Sequence, residues 1–92
     1  MMRHHILVKW KEGYKADHAE IRRLFEETLD IPGVSSVSVH PNVVDRANRY
    51  DLLILICMEK EALDKYDGCG AHHRWKDNYS QFIEKKAIFD CE

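Results

Sequence analysis

The run Leu52-Leu53-Ile54-Leu55-Ile56-Cys57-Met58 constrains this chain more than any other segment. Seven apolar residues are far short of the roughly 20 that cross a bilayer. They suit a β-strand instead. Read from Tyr50, side chains alternate: Tyr50, Leu52, Ile54, Ile56 and Met58 fall on one face, and Asp51, Leu53, Leu55 and Cys57 on the other. A strand this apolar on both sides needs cover on both sides. Helices can cover one face. A chain of 92 residues has little material left for the other.

The flanking segments supply the helices and further strands. His4 to Lys11 alternates as a strand, with Ile6, Val8 and Trp10 on one face and His5, Leu7 and Lys9 on the other. A turn follows at Glu12-Gly13-Tyr14-Lys15. Asp17 with Glu20 forms a capping box that predicts a helix start. Ile21, Leu24, Phe25 and Thr28 make its apolar stripe, and Pro32-Gly33 stops it. Val34 to His40 reads as a second strand, ended by Pro41-Asn42. Val43 to Arg49 is polar and is expected to be a mobile loop. Glu59 to Tyr66 reads as a short helix broken by Asp67-Gly68-Cys69-Gly70. A longer helix is expected from Ala71 to Ile83, with His72, Trp75, Tyr79, Phe82 and Ile83 in one stripe. Ala87 to Cys91 closes the chain as a last strand.

The order is β-α-β-β-α-β, an α+β fold of ferredoxin-like type across a single domain, residues 1–92. Its sheet has four antiparallel strands with helices on one face. The bare face, carrying Leu53, Leu55 and Cys57, is expected to pack on the sheet of a second copy, giving a homodimer.

These residues resemble the stress-responsive dimeric α+β barrel (Dabb) family. The resemblance rests on Arg3-His4-His5-Ile6-Leu7-Val8-Lys9-Trp10-Lys11, Ile31-Pro32-Gly33-Val34 and Tyr50-Asp51-Leu52-Leu53-Ile54. Ala62-Leu63-Asp64-Lys65-Tyr66, Ala71-His72 and Phe89-Asp90 continue it over nearly the whole chain. It implies a homodimer whose two sheets form a barrel, with a pocket between sheet and helices in each subunit. One plant branch, similar to olivetolic acid cyclase-type polyketide cyclases, folds a linear polyketide thioester by aldol cyclisation. Its catalytic Tyr and His would fall here on Tyr66 and His72, and its strand-1 histidine on His4. A further pocket histidine of that branch would fall on Leu52. Cys69-Gly70 stands where the family often has His-Pro.

The residues themselves also single out His72. Its stripe position points inward, in the first turn of a helix, where burial and the helix dipole both disfavour imidazolium. A neutral imidazole can take a proton from a carbon beside a carbonyl. The bland role for His72 is a cap or core histidine bonded to backbone. Tyr66, across the Gly68–Gly70 break, could orient a carbonyl or donate to an enolate oxygen; otherwise it is a core aromatic with its hydroxyl in water. His4 shares the Ile6, Val8 and Trp10 face, unless the strand end frays. Trp10, Phe25, Trp75, Tyr79 and Phe82 are expected to wall an apolar pocket, joined by Leu52 where the resemblance implies a pocket residue, although such an aromatic stripe is usually plain core.

The remaining signals mostly exclude. The formal charge is −2 and the pI about 6.3, without the basic surplus that nucleic acid or an anionic membrane surface calls for. The third strand lacks the basic and aromatic motif of RNA-recognition sheets. No glycine-rich phosphate loop occurs. Three cysteines without a CxxC pair argue for a reducing cytoplasm and no disulfide scaffold. Cys69 and His72 have zinc-ligand spacing but no second pair, so neither a metal nor another cofactor is expected. The expected partners are a second copy and a hydrophobic carbonyl compound, polyketide-like. The expected function is cofactor-independent acid/base chemistry in a stress-responsive barrel. The alternatives are a non-enzymatic ligand-binding dimer and a cofactor-free monooxygenase-like barrel.

Overall fold

A computed structural model describes all 92 residues. Strand β1 (Met2–Trp10) leads to helix α1 (His18–Glu26), then strands β2 (Val34–Pro41) and β3 (Leu52–Met58). Helix α2 (Leu63–Asp67), helix α3 (Gly70–Tyr79) and strand β4 (Ile83–Cys91) complete the chain. The sheet order is β2-β3-β1-β4, with every neighbouring pair antiparallel. This is the expected βαββαβ arrangement, with β1 and β3 at its centre. No helix is long and apolar enough to cross a membrane.

Alternation decides the two faces. Met2, His4, Ile6, Val8 and Trp10 of β1 are buried, as are Leu52, Ile54, Ile56 and Met58 of β3. Against this inner face pack Ile21 and Phe25 of α1, Tyr66 of α2, and Trp75 and Tyr79 of α3, in one continuous core. The Trp75 ring meets Phe25 edge-on at 5.1 Å between centroids. The Asp17 carboxylate accepts the Glu20 N–H at 3.1 Å, the cap that the sequence predicts. Gly33, at φ +97°, turns the chain into β2, and its carbonyl accepts the Glu59 N–H at 2.8 Å. Leu7, Leu53, Leu55 and Cys57 point to the opposite, outer face and are only half-buried. Phe89 of β4, beside His5, is 63% exposed there.

Several boundaries differ from the sequence reading. β4 begins at Ile83, not Ala87, and α3 ends at Tyr79. Ser80 to Phe82 form a single 3₁₀ turn, so Phe82 and Ile83 leave the helical stripe. The cause is the backbone of β1: a central strand needs partners along both edges. β4 therefore pairs with it from Arg3 through Trp10, and Lys11 donates to the Phe82 carbonyl at 2.7 Å. Phe82 instead stacks on Tyr14, with ring centroids 4.2 Å apart. β3 starts at Leu52, and Tyr50 leaves the Leu52 face for the outer side, where Lys85 lies over its ring. Ser35 is the extra residue of a bulge in β2, and its hydroxyl donates to the Cys57 carbonyl at 3.2 Å.

Candidate functional site

His4 sits on the inner face of β1, directly across from Asp90 of β4. Its Nδ1–H donates to the Asp90 carboxylate at 2.5 Å. Tyr66, near the end of α2, lays its ring edge-on to His4, with centroids 5.2 Å apart. The other side of the phenol meets His72, at 4.9 Å. Tyr66 is thus held between two imidazoles.

The break between α2 and α3 brings Tyr66 and His72 together. Cys69 caps α3, and its sulfur accepts the His72 backbone N–H at 3.4 Å. This fixes His72 in the first turn. The Asp67 carbonyl lies 2.8 Å from His72 Nδ1. A carbonyl only accepts, so Nδ1 carries the proton and Nε2 is the bare nitrogen. Desolvation holds the His72 pKa below the ordinary imidazole value; the Asp67 carbonyl bond opposes this, and Lys76 and Lys86 add to the lowering. Tyr66 is pushed the other way. Burial raises its pKa, reinforced by Cys69, Asp67 and Asp90. The phenol therefore stays protonated and keeps a proton to donate. Its hydroxyl is buried without a hydrogen-bond partner.

A cavity of about 230 Å³ opens beside this group, between the inner face of the sheet and helices α2 and α3. His4, Tyr66, His72 and Trp75 line it. Trp10, Phe25, Leu52 and Tyr79 do not: they are buried in the core, away from the cavity. Tyr79 spends its hydroxyl on the Glu20 carboxylate. The lining is half polar rather than uniformly apolar, because Asp67, Lys86 and Asp90 join the two histidines. Lys86, Ile88 and Asp90 of β4 form an exposed rim. Sequence reasoning missed these three. Lys86 was hidden because the strand was begun at Ala87, and Ile88 and Asp90 because the register of β4 against β1 is not written in the sequence. Cys69 and His72 are not joined as a ligand pair: the Cys69 sulfur accepts the His72 backbone N–H, and the His72 Nδ1–H is spent on the Asp67 carbonyl. No three His, Cys, Asp or Glu side chains converge as a metal site.

No family model and no curated protein sequence matches this chain. Solved structures do. A dimeric ferredoxin-like protein of unknown function from Thermobifida fusca superposes with a TM-score of 0.79 at 14% identity, covering 98% of this chain and 88% of that one. The fold is ferredoxin-like. A Dabb family protein from Mesorhizobium loti shares this ferredoxin-like fold at TM-score 0.63 and 14% identity, over 99% of this chain and 94% of its own. A candidate antibiotic biosynthesis monooxygenase from Nitrosomonas europaea shares it at TM-score 0.80 and 12% identity, over 100% and 97%. The Dabb resemblance read from the sequence is thus matched in the fold. In this ferredoxin-like frame the His4, Tyr66 and His72 cluster lies on the helix side of the sheet, away from the outer face.

Proposed function

We propose that the chain forms a homodimer through its outer sheet face and that each protomer carries out cofactor-independent acid/base chemistry on a small carbonyl compound. One observation carries the reading: Tyr66, protonated and with its hydroxyl unpartnered, packs its ring 4.9 Å from His72, whose Nε2 is free, and both residues line one cavity. In the step, Nε2 takes a proton from the carbon next to the carbonyl. The C–H bonding pair becomes the enolate, and the Tyr66 O–H donates to its oxygen. Return of the proton to carbon, or attack of the enolate on a second carbonyl, completes the reaction. His4, fixed by Asp90, buttresses the far side of the phenol. The roles of Tyr66, His72 and His4 are those that the resemblance to the cyclase branch implies.

The cavity suits a short substrate, or the reacting end of a longer chain such as a polyketide entering over the β4 rim. Trp75 and Ile6 supply its apolar wall. The half-buried leucines of the outer face, together with the dimeric state described for similar structures, support the second copy. Three free cysteines fit a reducing, cytoplasmic setting. A second reading is ligand binding without turnover. The cavity favours it by being smaller than the ~300–1,000 Å³ usual for ligand sites. Sharing a fold with the Nitrosomonas europaea protein keeps a monooxygenase-like variant in view, in which the same base would deprotonate an aromatic substrate ahead of oxygen.

Deuterium exchange at the central carbon of acetylacetone, followed by NMR in D₂O, tests the reading. Wild type should accelerate exchange over buffer, and a folded His72→Ala variant should not. No acceleration by wild type, or equal acceleration by the variant, would refute it.

A further inference from the structure

The outer face of the sheet carries both a projection and a hollow. Phe89 is the one aromatic residue of the chain left exposed. It stands beside its register partner His5, with ring centroids 6.1 Å apart, and the His5 Nδ1–H donates to its carbonyl at 3.1 Å. The hollow encloses about 300 Å³ under the segment that joins β2 to β3. Its floor is Leu7 and Leu53, register partners across β1 and β3, and His40, Asn48, Arg49 and Tyr50 wall it. Ring and floor both leave apolar surface in water, and covering one phenylalanine removes roughly 150–250 Å² of it.

Charge divides along the same direction. At the end of the hollow, the Lys9 ammonium donates to the Arg49 carbonyl at 3.4 Å and the Lys85 ammonium lies over the Tyr50 ring. At the other end, beyond Phe89, Glu59, Glu61 and Glu92 gather around Lys60, and Arg3 donates to the Glu92 carbonyl. The ion pairs within the chain, His4 with Asp90 and Arg74 with Glu27, use none of these side chains. One end of the outer face is therefore basic and the other acidic.

Two sheets stacked face to face are exchanged by a two-fold axis in the plane between them, so whatever one copy receives it also gives. An axis crossing the strands between His5 and Leu7 carries the Phe89 end of each face onto the Leu53 end of the other. Leu55, the β3 partner of His5, falls beside that axis. The same rotation lays the acidic end of each copy over the basic end of its partner. Shape and charge call for one arrangement.

We propose that the hollow is the seat of the partner's Phe89. Each copy sets its ring on Leu7 and Leu53 of the other, and the basic end around Lys9, Lys85 and Arg49 faces the partner's Glu92. The inference rests on the homodimer proposed above and adds its register.

Mixed dimers of one isotope-labelled and one unlabelled chain, read by isotope-filtered NOESY, test this register. Cross-peaks should join the Phe89 ring protons of one copy to the Leu7 and Leu53 methyl groups of the other. In analytical ultracentrifugation, Phe89→Ala should raise the dimer dissociation constant about thirtyfold or more, the loss expected for a central aromatic anchor, with an unchanged far-UV circular dichroism spectrum. A dimer whose Phe89 ring meets other residues of the partner overturns the register and leaves the dimer standing. So does a folded Phe89→Ala variant that dimerises within about threefold of wild type. A chain that sediments as a monomer at micromolar concentration overturns both.

Discussion

Tyr66 is the residue at which stability and the proposed role diverge. A buried hydroxyl without a partner costs about 1–3 kcal/mol of folding free energy. Tyr66→Phe keeps the ring between the two imidazoles and deletes that cost. We expect the variant to be more stable in urea by about 1 kcal/mol while losing the carbonyl-dependent exchange activity. A variant less stable than wild type would mean that the hydroxyl has a partner. His72 gives a prediction of a different kind. Its folded pKa lies below its unfolded value, so the unfolded chain binds the proton more readily. The neutral ring's contribution is complete above the unfolded pKa of about 6.5 and is lost as pH falls through the lower, folded value. Wild type should therefore lose more of its Tm than His72→Gln between pH 7 and about pH 5.

At the scale of elements, Gly33 controls how α2 is seated. A Cβ there would stand 3.1 Å from the Ala62 Cβ and 3.4 Å from the Glu59 Cβ, and the backbone has φ +97°. Both conditions oppose a side chain. Gly33→Ala should cost more than about 1 kcal/mol, measured by chemical denaturation, and should disturb the α2 segment that carries Tyr66. Most elements were legible because each had a local signature: the doubly apolar β3, the Asp17 cap, the Pro32-Gly33 stop and the Gly68–Gly70 break. Ile83 was not, because it fits a helical stripe as well as a strand. Only the demand of β1 for backbone partners decides between them, and that demand is non-local. The same cause hid part of the site. His4, Tyr66, His72 and Trp75 were readable from period and spacing, and they do meet around one cavity. Trp10, Phe25, Leu52 and Tyr79 share the same apolar character, and nothing local tells a core wall from a cavity wall. Lys86 comes into view only once β4 is given its full length, and Asp90 only once its register against His4 is known.

The whole molecule presents one buried and one half-covered side of a single sheet. Leu53 and Leu55 stand at the middle of the half-covered side, on a central strand. If a second copy rests there, a charge at that point is expensive to bury. Leu55→Glu should shift the chain from dimer to monomer in analytical ultracentrifugation, with little change in far-UV circular dichroism. A wild-type chain that sediments as a monomer at micromolar concentration would remove the dimer from the picture. The siting of the His72 chamber has a further consequence. It opens across the β4 rim on the helix side, so in a back-to-back pair the two mouths would look outward in opposite directions, with both sheets between them. Neither mouth would sense whether the other is filled. Saturation of such a pair should then trace a plain hyperbola, with a Hill coefficient of about 1.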